Sequence, residues 1–265
     1  MPFFDDSGVR SEEQRGALWG ALALLADQIE RMVALNVGWS AQLVPMLLGL
    51  GFPELPTWVR ILLLAYTGLA LGPATGALYG LLARASDGEL LSLELAREVL
   101  GELARPSLAR LVPLYGLLAW VGVLAWLLAG VRPALLAALA QLALLLLGLC
   151  AIYWGPFFVF RPDLPAWGIL GQSVRLVWGH PLRTLSMGLA MLLALALGAV
   201  SVGGTFLIVP VLVALMQVQL YRQVAPAPVG SRLATLAWPT PELSHLARDA
   251  ELYVVDPADD AARLV

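Results

Sequence analysis

Residues 58–83 read WVRILLLAYTGLALGPATGALYGLLA, an apolar run whose one charge, Arg60, stands near its start. A helix rises about 1.5 Å per residue, and about 20 apolar residues cross the roughly 30 Å of hydrocarbon in a bilayer. This stretch is long enough to span a membrane with length to spare. Gly68, Gly72, Gly76 and Gly80 recur every four residues and so share one helix face. Small residues at that spacing let two helices approach closely in lipid, which predicts a packing face. A backbone-lined substrate path is the lesser alternative. Pro73 cannot donate a backbone hydrogen bond to Leu69, which predicts a kink.

The rest of the chain has the same character. Of 265 residues, 60% are apolar and 13% charged, against about 45–50% and about 25% in soluble domains. The mean hydropathy is +0.81. Further apolar runs cover 32–52, 108–131, 133–160 and 181–221. The last is too long for one crossing, and Gly203-Gly204 near its middle predicts a tight turn dividing it into 182–202 and 205–221. With the run at 58–83 this makes six spans. The fold class read from sequence is an all-α polytopic membrane protein with a transmembrane domain over 32–224.

Arginine placement orients those spans. If both termini face the cytoplasm, the cytoplasmic side holds Arg84, Arg97, Arg105, Arg110, Arg161, Arg175, Arg183 and Arg222, with those of both terminal segments. The far side receives only Arg60 and Arg132. The positive-inside rule then places a multi-pass protein in the cell membrane with cytoplasmic N- and C-termini.

Several function classes fall away. A net charge of −3 offers no basic field for nucleic acid. One cysteine, Cys150, and two histidines cannot build a disulfide or a Cys/His zinc site. The span interiors carry no Asp, Glu, Lys, Arg or His, no serine–histidine or paired-aspartate arrangement, and no phosphate-binding glycine loop. No catalysis, metal or cofactor is expected, and no proton coupling through buried carboxylates. The polar groups left inside are Asn36, Gln42, Gln141 and Gln217, which read first as interhelical glue and second as ligand contacts. Tyr66, Tyr79, Tyr115 and Tyr153 are the aromatics that would accompany them in binding an uncharged solute.

Outside the spans, segment 1–31 lacks the basic start and cleavage pattern of a signal peptide. Leu18, Leu22, Leu25, Ile29 and Met32 recur at helical spacing, predicting either an interfacial helix or a helix packed on its neighbours. Loop 85–105 carries Leu91, Leu95, Val99 and Leu103 on one face and Glu94, Arg97, Glu98 and Glu102 on the other. Loop 162–180, with Trp167, Ile169 and Trp178, predicts a second helix at the interface. The segment 225–265 opens with Ala-Pro-Ala-Pro, a stiff linker; a short helix over 241–253 and a disordered end follow.

Two stretches look alike. The second span contains Gly72-Pro73, followed by an inner helix, Arg105-Pro106 and a span. The fourth ends with Gly155-Pro156, followed by an inner loop, His180-Pro181 and a span. Both copies enter from the same side, as in a parallel repeat.

These landmarks also carry a family resemblance. Gly72-Pro-Ala-Thr-Gly-Ala-Leu-Tyr79, Pro156-Phe-Phe-Val-Phe, Gln172-Ser-Val-Arg175, His180-Pro-Leu-Arg-Thr184 and Asn36-x-x-Trp39 resemble the signature of the YesL-like family over residues 16–224. That family comprises bacterial membrane proteins of unknown activity, often associated with carbohydrate uptake and utilisation. Its members are often richer in basic residues in the first inner loop, which here is balanced by acids. The resemblance implies a sugar-related setting without naming a reaction. The candidate binding or interface residues are Asn36, Trp39, Tyr79, Gln141, Tyr153, Arg175, His180 and Arg183. The candidate kinks are Pro73 and Pro156. The expected partners are the bilayer and either transporter subunits or a second copy. An accessory role is weighed first, a proton-independent sugar carrier second and a lipid-organising scaffold third.

Overall fold

A computed structural model describes residues 17–129 and 134–225. Segment 1–16, the junction at 130–133 with Arg132, and the linker and helix expected over 226–265 lie outside the described residues. The described chain folds into eleven α-helices. They are α1 (Ala17–Asp27), α2 (Ile29–Ser40), α3 (Val44–Gly51), α4 (Thr57–Ser86), α5 (Leu93–Leu128) and α6 (Ala134–Ala151). Then come α7 (Trp154–Phe160), α8 (Ala166–Gly179), α9 (Pro181–Val200), α10 (Val202–Leu207) and α11 (Val209–Val224). Five stretches are long and apolar enough to cross a membrane: Ile29–Gly51, Thr57–Ser86, Leu93–Leu128, Leu135–Phe160 and Pro181–Val200. This is an all-α polytopic membrane protein.

Two features differ from the sequence reading. The inner helix expected within 85–105 and the span expected at 108–131 form one helix, α5, which runs through Pro106 and Pro113. Ser92 starts it, accepting a hydrogen bond from the Leu95 amide at 3.1 Å. The second correction concerns the sixth span. Gly203-Gly204 does not form the turn; both glycines lie within α10, and the backbone leaves helical geometry at Ser201 and again at Ile208. What returns through the bundle is α11, only 16 residues long.

Pro210 explains the second of these breaks. It has no amide to give the Phe206 carbonyl, and its ring crowds that same carbonyl. The Asn36 side chain, fully buried on α2, takes over. Its Nδ2 donates to the Phe206 carbonyl at 2.7 Å, and its Oδ1 accepts from the Val211 amide at 2.9 Å. Broken helices at membrane depth survive only where such groups are satisfied within the protein.

α4 and α5 form the main helix pair, joined at 87–92 by a tight connection. Gly88 adopts φ +89°, and the amides of Gly88 and Glu89 bond the carbonyls of Ala85 and Arg84, closing α4 in a Schellman motif. Against this connection lie both ends of the described chain. Gln28 Oε1 accepts from the Leu91 amide at 3.3 Å, while Arg222 pairs with Asp87 at 2.6 Å. We call this the charged end. α1 packs along α11 rather than standing apart. Its buried line is Ala21, Leu25, Gln28 and Met32, with Leu18 and Ile29 exposed. α8 is present, with Ile169 buried and Trp167 and Trp178 exposed.

Candidate functional site

The glycine stripe of α4 behaves differently along its length. A Cβ on Gly72 would meet Val112 of α5, one on Gly76 would collide with Ser107 and press on Phe158, and one on Gly80 would come within 2.6 Å of Leu103 and 2.7 Å of Val99. These three glycines let α4 and α5 touch. Gly68 departs from the packing expectation: a Cβ there would meet nothing within 4 Å. Beyond Gly72 the two helices part, and Gly68 borders a cavity instead.

That cavity holds about 840 Å³ and lies between α4, α5, α9, α11 and the end of α2. Its polar lining comes from Trp39, Thr75, Tyr79 and Tyr115. Trp39 Nε1 donates to Thr75 Oγ1 at 3.1 Å. The Tyr79 hydroxyl donates to Gln217 Oε1 of α11 and also interacts with Tyr115. Trp39 separates this space from a second groove of about 580 Å³, lined by Gln42, Pro73, Ala77 and Leu91 among others. The grooves flank α4 on either side.

Of the candidate residues, the structure brings Asn36, Trp39 and Tyr79 to one region. Trp39 and Tyr79 line the cavity, while Asn36 is occupied with the α10–α11 break. Tyr153 stands elsewhere, where its hydroxyl and Thr184 Oγ1 lie 2.6 Å apart, tying α9 to the α6–α7 junction. Gln141 joins none of these; it is exposed on α6. Arg175 and Arg183 are exposed, and half-buried His180 links α8 to α9 with its carbonyl accepting from Thr184 Oγ1 at 2.9 Å. Pro73 sits inside continuous α4, whereas Pro156 follows a real break. Its i−4 residue is Ile152, and the chain leaves the helix at Ile152-Tyr153 before resuming as α7.

Three residues were not singled out as candidates from the sequence, although Gly155 and Thr75 lie within its landmark stretches. Gln28 clamps the α4–α5 connection, bonding the Leu91 amide and, at 3.5 Å, the Glu89 carbonyl. An amide in an otherwise apolar buried line was the available signal. Gly155 faces the Tyr79 ring so closely that any Cβ would collide with it. Thr75 is an unremarked hydroxyl in an alanine-rich turn.

The charges gather away from the cavity. Arg84 pairs with Glu98 at 3.3 Å and Glu102 at 3.4 Å. Arg161 pairs with Asp163 at 3.2 Å. The Arg161 hydrogen bond holds the Asp163 carboxyl below the usual carboxylate range, with Arg110 adding to the pull, and Asp163 raises Arg161 in return. Among the described residues, no cluster of His, Cys, Asp and Glu could hold a metal ion. No protein-family model matches the chain, and neither a curated protein nor a solved structure does.

Proposed function

We propose that this chain is a non-catalytic accessory component of a carbohydrate uptake or utilisation system, held in the cell membrane with its charged end in the cytoplasm. The observation that carries the reading is the charged surface at that end. Arg84 at the end of α4 pairs with Glu98 and Glu102 on the extension of α5, with both acids more than 60% exposed. Exposed pairs of this kind add little stability but present a defined charge pattern to a partner. The sugar setting rests on the YesL-like resemblance. Affinity purification in mild detergent should recover a transporter subunit, and Glu98→Arg with Glu102→Arg should release it. Recovery unchanged by the charge reversal removes this docking face.

The cavity admits a second reading, an uncharged-solute carrier, although its few polar side chains leave many of a free sugar's hydroxyls unmatched. Reconstitution into liposomes with labelled mono- and oligosaccharides separates the two. The accessory reading expects no flux by the isolated protein. Slow equilibration independent of a pH gradient promotes the carrier, and gradient-driven accumulation defeats both.

A further inference from the structure

The cavity's shape and chemistry narrow its occupant. Its rim includes Gly68, Leu69, Gly116, Ala119 and Leu195, all exposed. Each lies within a helix long and apolar enough to cross a membrane, Gly68 and Gly116 more than ten residues from either end, which turns the mouth toward hydrocarbon rather than water. Gly116, across from Gly68 on α5, likewise has nothing within 4 Å of a Cβ. Neither glycine is needed for close helix contact, in contrast to Gly72, Gly76 and Gly80. Together they leave the mouth open. At the enclosed end stand the hydroxyls of Thr75, Tyr79 and Tyr115. Thr75 Oγ1 accepts from Trp39, which leaves its own proton for an acceptor.

No charged side chain lines this space. A phosphate or ammonium head would be buried there without a counter-charge, at a cost of several kcal/mol per ion. A free sugar would bring more hydroxyls than three or four side chains can satisfy, and each unsatisfied group costs about 1–3 kcal/mol. Pockets of about 300–1,000 Å³ with apolar walls and a few polar groups suit small ligands. We propose that the cavity between α4, α5 and α11 binds an uncharged amphiphile from the bilayer, its single hydroxyl or carbonyl head at Thr75 and Tyr115 and its hydrocarbon tail leaving past Gly68 and Gly116. This site does not depend on the accessory reading, since no charged residue lines it.

A diazirine-bearing hexadecanol, photolysed with the full chain in phosphatidylcholine nanodiscs, tests it. Label should fall on peptides covering 65–79 and 112–119 and should be competed by unlabelled hexadecanol but not by hexadecyl phosphate or glucose. Gly116→Leu and Gly68→Leu each fill space that nothing occupies, so both should keep the melting temperature and reduce labelling about tenfold. Thr75→Val, which removes the bond to the head together with the one from Trp39 and leaves the tail path intact, should reduce it about fivefold. The site is overturned if labelling survives both glycine substitutions, if glucose or hexadecyl phosphate competes equally, or if label falls elsewhere. Should a glycine variant fail to fold, the Thr75→Val result and the competition pattern decide.

Discussion

Arg105-Pro106 and His180-Pro181 hold the same place in the two similar stretches, yet α5 runs straight through the first and the chain stops and restarts at the second. Proline removes one donor in each case. The difference lies in what surrounds it. Before Pro106 stand Leu103 and Ala104, good helix formers, and the carbonyl left without its donor belongs to Glu102, whose side chain is well exposed at the charged end. Water can serve that carbonyl. Before Pro181 stand Trp178 and Gly179, and His180 takes φ −135°, ψ 56°. There Thr184 bonds the His180 carbonyl through both its amide and its hydroxyl, and Tyr153 holds Thr184 in place. A proline ends a helix here only where neighbouring groups reward the new geometry. Pro210 repeats the lesson deeper in the fold, where Asn36 supplies both missing partners.

The comparison is broken most strongly at Asn36. Asn36→Leu leaves the Phe206 carbonyl and the Val211 amide unsatisfied in a buried site, at about 1–3 kcal/mol for each group. Thermal unfolding in detergent should show the largest loss of any single substitution considered, about 2–5 kcal/mol. A variant that melts like the parent would show that water or a shift of α10 can replace the carboxamide.

The same residue marks the limit of what could be read in advance. Apolar run length placed the long helices, because crossing hydrocarbon needs only length and composition. Asn36, Trp39 and Tyr79 were singled out because polar groups in a span need partners. Which partners they have could not be read. The Asn36 contacts lie 170 and 175 residues away in sequence, and Tyr79 meets Gln217 across 138 residues. Gly203-Gly204 resembled a turn because glycine is permissive, but Pro210 and Asn36 decided where the break fell. Arg105-Pro106 resembled a stop because local propensity cannot tell a solvated carbonyl from a buried one.

The glycine stripe offers a test of intermediate size. Gly76→Leu forces α4 away from Ser107 and Phe158 and should cost about 1–3 kcal/mol, with Gly80→Leu similar. Gly68→Leu should cost under about 0.5 kcal/mol, because its site is open. Equal losses at 68 and 76 would mean that the helices close together beyond Gly72.

The smallest effect belongs to the Arg161–Asp163 pair. The Asp163 carboxyl is held below its ordinary range, so its contribution is complete above that range and fades as pH falls through the depressed value. Because the pair is exposed, Asp163→Asn should leave the melting temperature at neutral pH within measurement error. A clear loss there would reveal a partner for this loop that the isolated chain does not display.

α11 has a consequence for how the protein is made. Nine of its 16 residues are buried, including Leu215, Met216 and Val218, and it touches α1, α2, α4, α7 and α9. It is also the last described helix to leave the ribosome. Synthesis delivers the N-terminal helices first, so α1, α2 and α4 wait in the bilayer with their inner faces uncovered and the Asn36 carboxamide without its backbone partners. Insertion and folding are therefore separated in time. A chain interrupted before Val209 would sit in the membrane with every long apolar helix in place and its centre hollow, a ready substrate for membrane proteases. Completion of this protein is signalled from its C-terminal side, by a helix of 16 residues that is shorter than a full bilayer crossing.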